Sequence, residues 1–264
     1  MYWDSHMHTS FSFDSDAAPE DQIRRAAELG LPGICITDHM DFVWGDDQPY
    51  LYDADAYFRT LYALREKYAD RIRVNIGIEL GCQAEMTDTL AAALAEHPYD
   101  FVIGSTHFAD GMDPYYREYF AGRTNPEGFR AFFERILENL EAFDDFDTLG
   151  HLDYVTRYGI EGNGIYDWTD YREIFEAVLR HLIAKDICLE VNTSGFRYGA
   201  APNPCEGILR LYRSLGGRLI TLGADAHTPD RIAYAFDRIG ELLKGCGFTE
   251  YMVFTNRKAE AFPL

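Results

Sequence analysis

The chain of 264 residues is long enough to bury a full core, and an apolar content of 47% is ordinary for a globular protein. Its charge is not: 44 acidic against 24 basic residues leave −20, a field that repels nucleic-acid backbones and anionic membrane surfaces. The five cysteines form no Cys-x-x-Cys pair, no basic-then-apolar leader opens the chain, and no stretch approaches a membrane span; these features exclude a disulfide scaffold and a transmembrane helix and lead to a cytoplasmic expectation.

In chain order, a strand over residues 2–6 precedes a helix over 19–29, with Pro19-Glu-Asp at its start and Gly30 as its stop. Strand 33–37 then leads to helix 54–68, strand 74–79 to helix 87–96, strand 101–106 to helix 127–143, strand 148–151 to helix 170–184, strand 187–192 to helix 205–215, and strand 219–225 to helix 229–243. A weaker eighth strand is predicted over 252–254. Most strands are continuous apolar runs, the pattern of parallel strands covered on both faces. Seven or eight β/α repeats in one uninterrupted stretch predict a single α/β domain over 1–264, closed into a barrel.

Candidate ligands sit at the ends of six of the seven main strands. They are His6, His8, His39, His107, His151 and His227, joined by Asp14, Glu79 and Asp225. Ligands scattered over so many strand ends favour a barrel, whose chemistry gathers at one mouth, over an open sheet with one switch point. In His6-Met-His8, residues two apart on an extended strand point the same way and can grip one ion. Imidazole and carboxylate suit zinc, manganese or iron. Nine such groups are too many for one ion and about right for three, which points to a metal-dependent hydrolase. Asp4 and Asp38, each beside a ligand, are candidates to orient one. His97, at a helix end, and His181, within a helix, read as structural, and Cys35 and Cys188 as buried thiols.

Three long connections share the ligand face. Residues 40–53 carry Asp41, Phe42, Trp44, Asp46 and Asp47; residues 108–126 carry Tyr115 and Tyr116; residues 194–204 carry Phe196, Arg197 and Tyr198. Loops of this length in a compact domain are usually functional.

The combination Asp-Ser-His-Met-His-Thr, Thr-Asp-His, Gly-Ile-Glu, Gly-Ser-Thr-His, Gly-His-Leu-Asp, Glu-Val-Asn-Thr-Ser-Gly and Gly-Ala-Asp-Ala-His resembles the polymerase and histidinol phosphatase (PHP) family, in its histidinol-phosphatase branch. The resemblance runs from Asp4 to His227 and implies a distorted seven-unit β/α barrel, three divalent ions and phosphoester hydrolysis by a metal-bridging hydroxide. It implies that His6, His8, Glu79 and Asp225 hold one ion, that Glu79 bridges to a second held with His107 and His151, and that Asp14, His39 and His227 hold the third. Arg157 and Arg197 match the branch's two phosphate-gripping arginines. With three divalent ions facing three carboxylates, the surplus charge is neutralised by a hydroxide and a phosphate dianion, which favours a phosphoester over an amide substrate. The branch implies a small-molecule partner, L-histidinol phosphate. The alternatives are another small phosphate ester (a nucleotide, phosphotyrosine or sugar phosphate) and, more remotely, an amide. For that substrate the 40–53 loop would supply acids and aromatics to its ammonium and ring.

Overall fold

The structure is a computed structural model that describes residues 1–42, 49–160 and 166–264. Its centre is a parallel sheet in the order β1 (Gly33–Ile36), β3 (Arg73–Gly81), β4 (Phe101–Ser105), β5 (Thr148–Leu149), β6 (Cys188–Asn192) and β7 (Ile220–Gly223). A short β2 (His39–Asp41) continues the path of β1 along β3 and sets His39 beside Glu79. Helices α1 (Pro19–Glu28), α2 (Ala54–Lys67), α3 (Thr87–Glu96), α4 (Asn125–Ala142), α5 (Arg172–Lys185), α6 (Glu206–Ser214) and α7 (Phe236–Gly245) alternate with the strands.

The strand predicted over 2–6 is replaced by a bridge in two directions. Asp4 pairs with Ile34 on β1, and Met7 with Ala226 beyond β7. On one side Ser5 N–H donates to Leu222 at 2.9 Å and Asp225 N–H to His6 at 2.8 Å; on the other, Cys35 N–H donates to Asp4 and Thr37 N–H to Met7, both at 2.9 Å. This segment closes the sheet into a distorted barrel of seven units. It is no regular strand because a side chain takes part of the ladder: the Asp4 carboxylate accepts the backbone N–H groups of His6, Ala224 and Ala233. Close approach also demands Gly223, where a Cβ would run into His6 Cβ and Glu190 Oε1.

Most helix ends lie within two residues of expectation. The exception is α7: Pro229–Arg231 forms only a 3₁₀ turn, Ala233 and Ala235 take φ of 53° and 57°, and the helix begins at Phe236. Helix α4 starts two residues before the predicted 127, because Thr124 and Glu127 form a reciprocal capping box.

Along the strands, side chains alternate between the outer helical layer and the barrel interior. The interior is apolar at one end, where Cys35, Phe101, Ile103 and Cys188 meet Met252 and Phe254. The latter two belong to β8 (Glu250–Thr255), which turns at Asn256-Arg257 and pairs antiparallel with an unpredicted β9 (Lys258–Pro263). Both turn residues have positive φ, the geometry of a tight hairpin. The hairpin plugs the end where strands begin, with Asn75 donating to the Phe254 carbonyl and Arg257 pairing with Asp147 and Asp145. Cys35 and Cys188 are buried as expected, and the five cysteines are free. No helix among the described residues is long and apolar enough to cross a membrane.

Candidate metal centre

At the opposite mouth, where strands end, the interior positions become polar. Glu79 lies at the centre, fully buried near the end of β3, and its two oxygens serve different neighbours. Oε1 lies 2.8 Å from His151 Nε2 and 3.2 Å from His107 Nε2, and accepts the Ser105 hydroxyl at 2.7 Å. Oε2 lies 3.0 Å from His6 Nε2, 3.3 Å from His8 Nε2 and 3.1 Å from His39 Nδ1. Asp225 Oδ1 lies 3.3 Å from His8 Nε2 and 3.7 Å from His6 Nε2, on a residue held at φ 53° beside Gly223. A non-glycine residue at that angle carries strain, which the surrounding contacts must sustain. Nearer the opening, Asp14 Oδ2 lies 3.0 Å from His227 Nε2 and 3.7 Å from His39 Nε2.

All nine sequence-derived candidates therefore converge. They merge into overlapping groups, which include His6, His8 and Asp225; His39, Glu79 and His107; and His8, His39 and His227. The His8 ring stacks on both His39 and His227, at centroid separations of 4.2 and 4.1 Å.

The donor chemistry fits cations. His6 Nδ1–H donates to Glu190 at 2.6 Å, and His8 Nδ1–H to Ser12 Oγ at 3.0 Å. Their Nε2 lone pairs then face each other at 3.1 Å in a dry space shared with two carboxylates. Only a proton or a cation reconciles that arrangement. His39 Nδ1 is buried 3.1 Å from Glu79 Oε2 without the alignment of a hydrogen bond, the arrangement of two electron-pair donors beside a shared cation.

The electrostatics of the protein alone express the same demand through protons. Burial opposes charge on His6, but Glu79, Glu190 and Asp225 outweigh it and hold its pKa well above the usual imidazole value. Burial likewise opposes charge on His8, yet bonds to Asp225 and Glu79 push it up to about 9. His107 is also raised: Asp41 and Glu79 overcome its burial. His39 goes the other way, to about 3, through burial and the nearby charge of His8. Glu79 and Asp225 are buried too, but the surrounding imidazoles hold both well below ordinary carboxylates.

A ring of partners orients the candidates, and part of it escaped sequence reading. Glu190 holds His6 and also accepts the His151 N–H at 2.7 Å; its signal was a carboxylate inside the apolar run of β6, two residues before Asn192 on the same face. Asp38 accepts Ser12 and Thr9, fixing the turn that presents His8, while Asp4 gathers backbone amides as described above. Asp41 was expected to read a ligand's cationic end. It lines the cleft, largely buried, and its Oδ1 accepts His107 Nδ1–H at 2.8 Å. Phe42 lines a separate groove between α2 and α3, and Trp44, Asp46 and Asp47 lie outside the described residues.

Above the nine candidates opens a cleft of about 470 Å³. Arg157 and Arg197 occupy one wall. Arg157 is buried, with Nη1 3.4 Å from Asp225 Oδ2, between the rings of Tyr154 and Tyr198 at 5.2 and 5.3 Å. Arg197 Nη2 reaches the Asp225 carbonyl at 3.4 Å. Tyr115 and Tyr116 line the cleft as expected, joined by Tyr50, Asp113 and Tyr158, whereas Phe196 packs under Arg238 in the core. His97 stacks on Phe58 and His181 bonds Asp144, both structural as read.

The chain is similar to known proteins in family, sequence and fold. The PHP-domain model matches residues 4–194. A histidinol-phosphatase of Lactococcus lactis is 30% identical over 97% of this chain and 96% of its own. The crystal structure of histidinol phosphate phosphatase from the same organism, complexed with zinc, L-histidinol and phosphate, superposes with a TM-score of 0.89 at 29% identity, covering 98% of this chain and 100% of that one. A Listeria monocytogenes structure at 20% identity covers 89% of this chain and 98% of its own with a TM-score of 0.77, a likeness of fold.

Proposed function

The chain belongs to the PHP-domain family, and from that premise we propose that it is a metal-dependent phosphomonoesterase that hydrolyses L-histidinol phosphate to L-histidinol and phosphate. The observation that carries the reading is the meeting of nine nitrogen and oxygen donors with Arg157 and Arg197 at the floor and wall of one cleft. The Lactococcus structure supports the substrate, since it holds both reaction products in the same fold. Its zinc supports the metal, and the donor set suits manganese and iron as well.

His6, His8, Glu79 and Asp225 would hold one ion, Glu79, His107 and His151 a second, and Asp14, His39 and His227 a third. Bound divalent ions supply a water of lowered pKa as nucleophile and neutralise charge on the phosphoryl oxygens. The protein does the rest. Glu79 and Asp225 place their negative charge at the deepest point. Arg157 and Arg197 present N–H groups to the phosphate oxygens and stabilise charge that grows there as the ester bond breaks, a geometry a lysine cannot supply. Burial of Arg157 between two tyrosines strengthens that contact by excluding water. On the cleft wall, Asp113 accepts Tyr115 N–H at 2.8 Å and Tyr154 Oη–H at 3.5 Å; it suits the ammonium of the leaving group, with the tyrosines beside its imidazole. The net charge of −20 argues against a nucleic-acid substrate, and the free cysteines fit a reducing cytoplasm.

The test is kcat/KM across histidinol phosphate, a nucleotide, phosphotyrosine and a sugar phosphate, with added zinc or manganese. Histidinol phosphate should rank first. Preference for another ester would overturn the substrate alone, and failure on every ester would overturn the phosphatase reading. Elemental analysis of active protein should approach three ions per chain; a saturated, active enzyme with one would reject the three-ion scheme.

A further inference from the structure

Arg157 is held by an amide whose orientation is set from behind. Its Nε–H donates to Asn203 Oδ1 at 3.0 Å and its Nη2 to Ser194 Oγ at 2.7 Å. Asn203 is buried, and an asparagine amide can turn either its oxygen or its NH₂ toward a neighbour. Here the choice is forced: Asn203 Nδ2 donates to Asp153 Oδ1 at 2.5 Å, which leaves the oxygen for the arginine. Asp153 is itself buried and acts as acceptor throughout, taking Tyr166 Oη–H at 2.5 Å and Cys205 N–H at 3.0 Å with its other oxygen. The main chain of Asn203 is clamped as well, exchanging two hydrogen bonds with Asn192 at the end of β6, at 2.7 and 2.9 Å. Ser194 in turn donates to Asn192 Oδ1 at 2.5 Å.

We propose that Asp153 and Asn203 are positioning residues for the phosphate-binding guanidinium: Asp153 fixes the Asn203 amide, and Asn203 fixes the plane of Arg157 above the metal centre. The inference rests on the reading that Arg157 grips the phosphate. It gives a role to the aspartate of Gly150-His-Leu-Asp153, which no metal group includes. Nη1 lies 3.4 Å from Asp225 Oδ2. With Nε and Nη2 each engaged, the plane of the guanidinium is set, and Nη1 and the second Nη2 N–H are the groups left to meet a phosphate beside Asp225. Positioning of this kind acts on rate through geometry, without any contact between Asp153 and the substrate.

The experiment is a double-mutant cycle on the metal-loaded enzyme, with Asn203→Leu, Asp153→Asn and Arg157→Met measured singly and in pairs. Asn203→Leu should lower kcat/KM about tenfold, the scale of one lost hydrogen bond to a charged group. It should also weaken inhibition by inorganic phosphate while metal content stays at the wild-type value. In the Arg157→Met background neither substitution should cost anything further, because their effect passes through that side chain. Asp153→Asn keeps the shape of the site and gives the same reading should Asn203→Leu fail to fold. Wild-type kcat/KM in the single variants, or an undiminished loss in the Arg157→Met background, would overturn the inference. If Arg157→Met itself loses nothing, the phosphate-clamp reading fails instead.

Discussion

The two mouths of the barrel are built from the same strands and obey opposite rules. Where the strands begin, Cys35, Phe101 and Cys188 meet Met252 and Phe254 of the hairpin, and the contact is shape and dispersion. Where they end, Glu79, Asp225 and seven further donors crowd within hydrogen-bond range and would repel one another without protons or ions. One end stores stability, and the other spends it on a site that binding must complete. The difference also explains the supporting cast. The apolar end needs only well-chosen volumes, whereas each candidate ligand at the polar end needs a fixed orientation, supplied by Glu190, Asp41 and Ser12 among others.

The comparison breaks most sharply at Glu79. A neutral amide is a poor bridging ligand, so Glu79→Gln should lose bound metal and turnover together, by elemental analysis and assay of the same preparation. Retained metal with wild-type turnover would remove Glu79 from the centre. At the other mouth, Phe254→Ala deletes a ring stacked 5.3 Å from Phe101 and should cost about 3–5 kcal/mol of stability in denaturant titration. Its kcat/KM should stay at the wild-type value while the protein is folded; an equal loss of activity would mean that the two ends are not independent.

A smaller effect separates the ends by pH. His8 titrates at about 9 in the folded chain, against about 6.5 when unfolded, so the folded state binds more protons between those values. Chelator-treated protein should be fully supported by this group below pH 6.5 and lose that support as pH rises through about 9. His6 and His107, also raised, act in the same direction. Ions take the place of these protons, so the melting-temperature gap between metal-loaded and chelated protein should widen from pH 6.5 to 9. A gap that narrows over that range would contradict the assignment.

Much of this was legible in the residues because strand ends and ligands coincide. His6-Met-His8 on an extended segment, and Glu79 closing an apolar run, announce inward side chains at one mouth through period-two geometry alone. The 40–53 connection was less legible: Asp41 lies on β2, in register with Gly81 on β3, where it lines the cleft while its Oδ1 takes the His107 N–H.

The sequence by itself set the β/α alternation and put nine imidazole and carboxylate groups near strand ends, because periodicity, capping and donor chemistry are local properties of residue type and spacing; Arg157 and Arg197 were singled out by the family resemblance. Tertiary structure alone decided that residues 2–8 close the barrel, that a C-terminal hairpin plugs its far end, and that Glu190, Asp153 and Asn203 stand behind the ligands and Arg157. Apart from the pairing within the hairpin, those contacts join residues 30 to more than 200 positions apart, and no local pattern encodes which distant partner a buried carboxylate will find.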